Sequence, residues 1–303
     1  MIYNAITLLL TNKCNMKCPH CCIECSPEND SVLNDELLEK VILDLKENTK
    51  INMISISGGE AFLYLDKVKR AICLIKQVGK SSAVYTNGFW CTEYAETYDT
   101  MLELKNCGLT MLLTSIDSYH QQSISIENIK NLLNVCNELD IPVKLHVSTT
   151  FSNSSHNDEL ISKLGLSKLS ASITQSAVFP VGRAAKNIPK EDIISSQKIS
   201  HLKCRYDGMS SIDWNGNVFW CCSIHNENMI IGNISQRNIN SILSDFRKNK
   251  PFMCLLTKGL PYLANTAEKA GLITLNERYA DSCELCNSIF EDNVILDKLE
   301  YIL

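Results

Sequence analysis

Over the first two thirds of the chain, short apolar runs alternate with stretches in which apolar residues recur every three or four positions. The runs at 3–10, 51–56, 82–86, 109–115, 142–149 and 169–175 read as strands. The stretches between them read as helices. Asn34, followed by Asp35-Glu36-Leu37-Leu38-Glu39-Lys40-Val41-Ile42, is a cap residue with an acidic first turn. Further helices are expected at 66–78, closed by Gly79, at 92–107, closed by Gly108, at 124–139 and at 157–164. Six strands alternating with helices predict an α/β fold with a parallel sheet.

Beyond about residue 190 the alternation stops. Ser211–Trp214 and Asn217–Trp220 flank Asn215-Gly216 and predict a β-hairpin with a two-residue turn. Residues 236–280 have a helical pattern of mixed polarity and are too many for a plain loop. Two units are therefore expected, 1–190 and a smaller α+β unit at 191–303.

Composition adds little until the cysteines are counted. A chain of 303 residues, 45% apolar and 21% charged, is an ordinary globular balance. A net charge of −5 gives no reason to expect nucleic acid or an anionic membrane surface as partner. No apolar run reaches the span of a bilayer, and residues 1–12 lack the basic start of a signal peptide. A cytoplasmic protein is expected, and there fifteen cysteines do not form a disulfide framework; they point to metal.

Cys14, Cys18 and Cys21 follow the first strand with the spacing C-x3-C-x2-C. Three thiolates can hold three irons of a [4Fe–4S] cube, leaving one iron open for chemistry. Zinc is the alternative, but it prefers two C-x2-C pairs, which the x3 spacing fits poorly. Cys204, Cys221, Cys283 and Cys286 form a second group of four thiolates, enough to close another cube or a zinc ribbon. Cys222 adjoins Cys221. If the strand continues, adjacent side chains point to opposite faces, so one cysteine ligates and the other is a thiol beside the metal or an inert buried residue. Cys22, Cys25, Cys73, Cys91, Cys107, Cys136 and Cys254 carry no assigned role, and Cys73, Cys107 and Cys136 fit helix patterns as small core residues.

The triple Cys14/Cys18/Cys21, with Ile54-Ser55-Ile56-Ser57-Gly58-Gly59-Glu60 at the second strand, resembles the radical S-adenosylmethionine (SAM) enzymes. That resemblance implies a partial (β/α)6 barrel, with Gly58, Gly59 and Glu60 at the SAM amino group. Glycines permit close backbone approach, and a carboxylate suits an ammonium. It also implies SAM contacts at strand ends. Asn87 is either such a contact or, with Gly88, a turn. Ser115 ends the fourth strand. His146 lies within the fifth and is either a contact or a satisfied core residue. Arg183, in Val181-Gly182-Arg183, either pairs with the SAM carboxylate or faces solvent. The later cysteines resemble a SPASM, or twitch, domain with one auxiliary [4Fe–4S] cluster.

Cys14 to Pro27, Asp117-Ser118-Tyr119-His120, Val181-Gly182, Cys221-Cys222 and Cys283-x2-Cys286 together resemble the radical SAM epimerases that make epipeptides. In that family a SAM-derived radical removes a Cα hydrogen from a ribosomal peptide and a thiol returns hydrogen to the other face, inverting the residue. Cys222 matches the donor. Asp207, in Cys204-Arg205-Tyr206-Asp207, matches a family acid but lies one residue nearer the cysteine, which leaves Asp213 as a fallback. The implied partners are a ribosomal precursor peptide and an external electron donor. The alternatives are a maturase forming thioether or C–C crosslinks on the same scaffold, and a non-enzymatic metal-binding module.

Overall fold

The computed structural model describes residues 4–165, 171–204, 209–245 and 248–303. Six strands alternate with helices as the apolar pattern requires. They run β1 (Ala5–Leu9), α1 (Asp35–Asp44), β2 (Met53–Ser57), α2 (Leu65–Gln77), β3 (Ser81–Thr86), α3 (Tyr94–Cys107), β4 (Met111–Ser115), α4 (Ile126–Glu138), β5 (Val143–Thr149), α5 (Ser154–Lys163) and β6 (Ala171–Ala177). All six pair in parallel in sequence order. Asn34 caps α1 by accepting from the N–H groups of Glu36 and Leu37. Gly108 ends α3 at φ 113°, a left-handed position that suits glycine.

Strand alternation divides the sheet into two faces. Ile6, Leu8, Ile54, Ile56, Val84, Leu112, Leu145 and Val147 are buried and form the face toward the helices. Their neighbours Ser57, Tyr85, Leu113, Ser115, Lys144 and His146 form the lumen face and are half-buried or exposed. The lumen is open on the β6 side.

After β6 come α6 (Arg183–Asn187), β7 (Gln197–Lys198), β8 (Met209–Ile212), β9 (Asn217–Phe219), β10 (Ile230–Asn233), α7 (Ile239–Asp245), α8 (Lys250–Lys258), α9 (Leu260–Lys269), β11 (Arg278–Tyr279), α10 (Ser282–Phe290) and α11 (Asn293–Ile302). The hairpin joins the barrel. β8 pairs in parallel with β1, giving the nine-strand order β10-β9-β8-β1-β2-β3-β4-β5-β6. One sheet thus crosses the boundary expected near residue 190. Trp220, Phe252 and Phe290 stack behind the hairpin, with ring centroids of Phe252 and Phe290 4.9 Å apart.

Two expectations are corrected. The hairpin loop has three residues, 214–216, because Ile212 faces Val218 and the Asp213 N–H donates to the Asn217 carbonyl. Asp213 Oδ1 accepts from the N–H groups of Asn215 and Asn217, and Gly216 takes φ 79°. Cys73 and Cys107 are not separate core residues; they form a disulfide between α2 and α3, with Cα atoms 4.6 Å apart. No helix among the described residues is long and apolar enough to cross a membrane.

Candidate active site

The loop carrying Cys14, Cys18 and Cys21 is held by backbone from three directions. Within the loop, the Cys14 N–H donates to the Ser26 carbonyl and the Cys21 N–H to the Cys18 carbonyl. From β2, Gly59 N–H donates to Thr11 O at 2.7 Å and Glu60 N–H to Lys13 O at 2.9 Å. A Cβ on Gly59 would stand 2.0 Å from Lys13 O, and one on Gly58 2.5 Å from Thr11 O, so only glycines allow this contact. From beyond β6, the Arg183 N–H donates to Cys21 O. A Cβ on Gly182 would stand 2.2 Å from Cys22 O.

Arg183 does not face solvent. It is buried, and its guanidinium donates to the carbonyls of Cys18 (2.9 Å) and Cys25 (2.8 Å). Glu60 is also engaged within the chain. Its carboxylate accepts from the Phe62 N–H, the Thr86 hydroxyl and the Asn87 N–H. Burial pushes its carboxyl up to about 7 despite these donors. Asn87 donates its amide to Asn15 Oδ1 at 2.8 Å, tying the end of β3 to the cluster loop.

Ser115 and His146 are register partners on β4 and β5 and share the lumen face. His146 Nε2 lies 3.3 Å from Ser176 Oγ. Burial pushes Cys14 up to about 11, with the Glu60 carboxylate adding to it, and Cys18 up to about 12, with Cys21 and Cys14 adding to it. Cys21 is drawn down to about 6, chiefly by a hydrogen bond from Cys25.

In the second region, β9 ends at Phe219, so Cys221 and Cys222 sit in a bend and not on a continuing strand. Strand alternation therefore does not separate them; hydrogen bonding does. The Cys222 thiol beside it, and then backbone N–H groups, of which that of Ser223 donates to Cys221 Sγ at 3.4 Å, draw Cys221 down to about 7. Cys222 is held well up as a thiol by that sulfur and by burial. Cys283 and Cys286 lie on α10, whose N-terminus Asp281 caps by accepting from the Cys283 N–H. Burial pushes both thiols well up, and the charges of Cys221 and Cys204 add to it. Asp207 lies outside the described residues, and Asp213 is engaged in the hairpin turn.

Residues 8–162 match the Radical SAM superfamily, and residues 204–287 match SPASM, an iron–sulfur cluster-binding domain. The chain belongs to the Radical SAM superfamily. A Bacillus subtilis (strain 168) protein described as "Putative peptide biosynthesis protein YydG" is 25% identical over 99% of this chain and 95% of its own length. The same organism's "Antilisterial bacteriocin subtilosin biosynthesis protein AlbA" is 33% identical over 27% of this chain and 18% of its own. Among solved structures, anSMEcpe with bound AdoMet superposes with a TM-score of 0.59 at 11% identity, covering 99% of this chain and 96% of that one. This radical SAM protein is thus similar to peptide maturases, and the superposition shows the barrel fold.

Membership of the superfamily implies SAM and a [4Fe–4S] cluster, and the SPASM match implies auxiliary iron–sulfur chemistry. The donor sets fit. Thiols are the donors such clusters take, three on one loop and four in the second group. Among the described residues, only His20, Asp117 and His120 bring three ligand atoms within 4.8 Å of one another.

That histidine group is what the sequence reasoning passed over. Asp117 is buried and accepts from His120 Nδ1 at 2.9 Å and from the N–H groups of Tyr119 and His120. Burial pushes the Asp117 carboxyl up, yet His120 and these donors hold it at about 2. The His20 ring lies 4.6 Å from that of Tyr119 and 5.2 Å from that of His120. Its buried Nδ1 has no hydrogen-bond partner among the described residues. The signal was available, because a residue between Cys18 and Cys21 has to stand beside whatever those thiols hold.

Proposed function

We propose that this radical SAM protein inverts L-residues to D-residues in a ribosomally made peptide. Cys14, Cys18 and Cys21 hold the SAM cluster in the barrel unit, 1–190. Cys204, Cys221, Cys283 and Cys286 hold one auxiliary cluster in the unit 191–303. Gly58, Gly59, Asn87, Ser115 and His146 border SAM, while Glu60 and Arg183 brace the loop that carries the first cluster. When bound, SAM and its cluster supply the carbon radical that removes a Cα hydrogen.

The observation that carries the proposal is the Cys221–Cys222 pair. One sulfur is favoured as a ligating thiolate by converging N–H groups, and its neighbour is kept as a thiol. Cys222 lies near Tyr85, a lumen residue of β3. The Cys222 S–H bond breaks, its hydrogen atom joins the peptide Cα on the face opposite SAM, and a sulfur radical is left. One electron from the external donor and one proton restore the thiol. Similarity to YydG over nearly the whole chain supports the peptide substrate class.

The test is mass spectrometry of peptides covering the short reading frames beside the gene, after reaction in D2O with reconstituted protein, SAM and reductant. Epimerisation adds about one mass unit per event from the exchanged thiol. Cys222→Ala should cleave SAM but incorporate no deuterium. A loss of two hydrogens would replace this reading with a crosslinking maturase, and an unaffected Cys222→Ala would remove Cys222 as donor.

A further inference from the structure

The two edges of the nine-stranded sheet are finished very differently. β10 is four residues long, has a register shift between Ile230 and Gly232, and is packed by α7, whose Ile242 lies 3.0 Å from where a Cβ on Gly232 would stand. Short length, a bulge and a covering helix are the usual protections of an edge. Among the described residues, β6 has none of them. It is seven residues long, Ala-Ser-Ile-Thr-Gln-Ser-Ala, with no charge, proline or glycine. It pairs with β5 over seven residues in unbroken register, and residues 172–175 are exposed.

The backbone polarity of that edge can be assigned. Val178 N–H donates to Thr149 O, continuing the β5–β6 ladder. In a parallel pair, alternate residues bond to a given neighbour. Ser172, Thr174 and Ser176 therefore direct their N–H and C=O groups to β5, and Ile173 and Gln175 direct theirs outward. Among the described residues, no backbone hydrogen bond reaches those outward groups. Polar backbone left in this state is a template for another strand. The side chains of Ser172, Thr174 and Ser176 meanwhile continue the lumen row, in register with Lys144, His146 and Ser148.

We propose that the peptide substrate binds by strand addition to β6, paired with the outward backbone groups of Ile173 and Gln175. This rests on the peptide-maturase reading of the site. An added strand would close the open side of the barrel, and alternate residues of the peptide would face the lumen. A main-chain ladder fits a substrate class in which the reacting atom is itself on the main chain. Phe151, 63% exposed, stands after β5 at the same end of the sheet, its N–H anchored on Asp192 O at 3.0 Å. It offers an aromatic contact where the added strand reaches the mouth.

The test is binding without reductant, so that its outcome does not depend on which bond the enzyme makes. Fluorescein-labelled synthetic peptides covering the short reading frames beside the gene are titrated with reconstituted wild type, Ile173→Pro and Ile173→Ala. Proline removes one outward N–H and leaves the native ladder intact, whereas alanine retains it. Ile173→Pro should weaken binding about tenfold, the worth of one or two backbone hydrogen bonds, with iron content and SAM cleavage unchanged; Ile173→Ala should bind like wild type. A second measurement needs no variant protein. Single N-methyl groups stepped along the bound peptide should weaken binding to wild type at alternate positions only. The proposal is overturned if no peptide binds, if Ile173→Pro binds normally, if alanine costs as much as proline, or if N-methylation has no alternation. It is also overturned if wild type is a dimer that Ile173→Pro splits, since a second copy of the chain would then occupy the edge. Peptide that binds this way but emerges crosslinked would reject epimerisation and keep strand addition.

Discussion

Cys14, Cys18 and Cys21 lie on one loop, whereas Cys204, Cys221, Cys283 and Cys286 come from three separate segments. The first set is fixed by backbone bonds from β2 and from the Gly182-Arg183 segment, with glycines pressed against the loop. In the second, a bend points N–H groups at Cys221, Ser211 Oγ of β8 donates to the Cys221 carbonyl at 2.7 Å, and a capped helix buried in the core carries Cys283 and Cys286. Cys204 is exposed. On the proposed ligand sets, the first site is shaped before iron arrives, whereas the second has to gather three segments, of which that of Cys204 is exposed. This division suits the two tasks. A site that cleaves SAM must hold its geometry with one iron open, and a fully ligated cluster can take its geometry from the metal.

Removing iron should separate the two sites most strongly. In hydrogen exchange after chelation, the amides of Cys14, Cys21, Gly59 and Glu60 should stay protected, because their acceptors are backbone carbonyls. Amides around Cys221 and through α10 should lose protection, since metal binding there is folding free energy. Ligand variants sharpen the same contrast. Cys21→Ala should abolish SAM cleavage, whereas Cys286→Ala should leave it and lower only the iron content. Equal loss of protection at both sites would break the comparison.

A smaller effect is expected from one methyl group. Gly59→Ala would place its Cβ 2.0 Å from Lys13 O, a backbone atom that cannot rotate away. Overpacking of this kind costs about 3 kcal/mol, read as a lower denaturation midpoint together with poor iron incorporation at the first site. Gly271→Ala is the control for space. Unlike Gly59 it has positive φ, and nothing lies within 4 Å of its added Cβ, so it shows backbone strain without the clash.

The parts of this architecture legible in the sequence are those with short range. Strand and helix periodicity, the Asn34 cap, the C-x3-C-x2-C loop and the Cys283/Cys286 pair each need only neighbouring residues. The pairing of Ala5 with Met209 leaves no local pattern, so the hairpin's place in the barrel sheet could not be read. Asn215-Gly216 suggests a two-residue turn, but the Asp213 side chain captures two N–H groups and lengthens the loop. Arg183 was legible as a residue beside the site but not as a brace, because its acceptors are main-chain carbonyls far away in sequence. His20 and Asp117 each belong to a motif that was noticed, and only the fold brings them together.

Asp117 gives the subtlest difference between the two regions, through acid. Its carboxyl is held at about 2 in the folded chain, against an ordinary value near 3.8, by His120 and by N–H donors that outweigh burial. A carboxyl depressed by folding contributes stability that is present above its unfolded value and is lost as pH falls through the folded one. The window is therefore pH 4 to 2, and the contribution is about 2 kcal/mol. Glu60 has the opposite sign: raised to about 7, it weakens the fold as pH climbs from 4.5 to 7. Urea titrations of the metal-free chain should show wild type losing stability between pH 4 and 2 more steeply than Asp117→Asn. The excess loss should fall on hydrogen exchange at Ser118–Ile124 and not on α10, where no carboxyl is held so low. An acid limb unchanged by Asp117→Asn would mean that the Asp117–His120 pair contributes nothing, and that the first site keeps its shape through its backbone bonds alone.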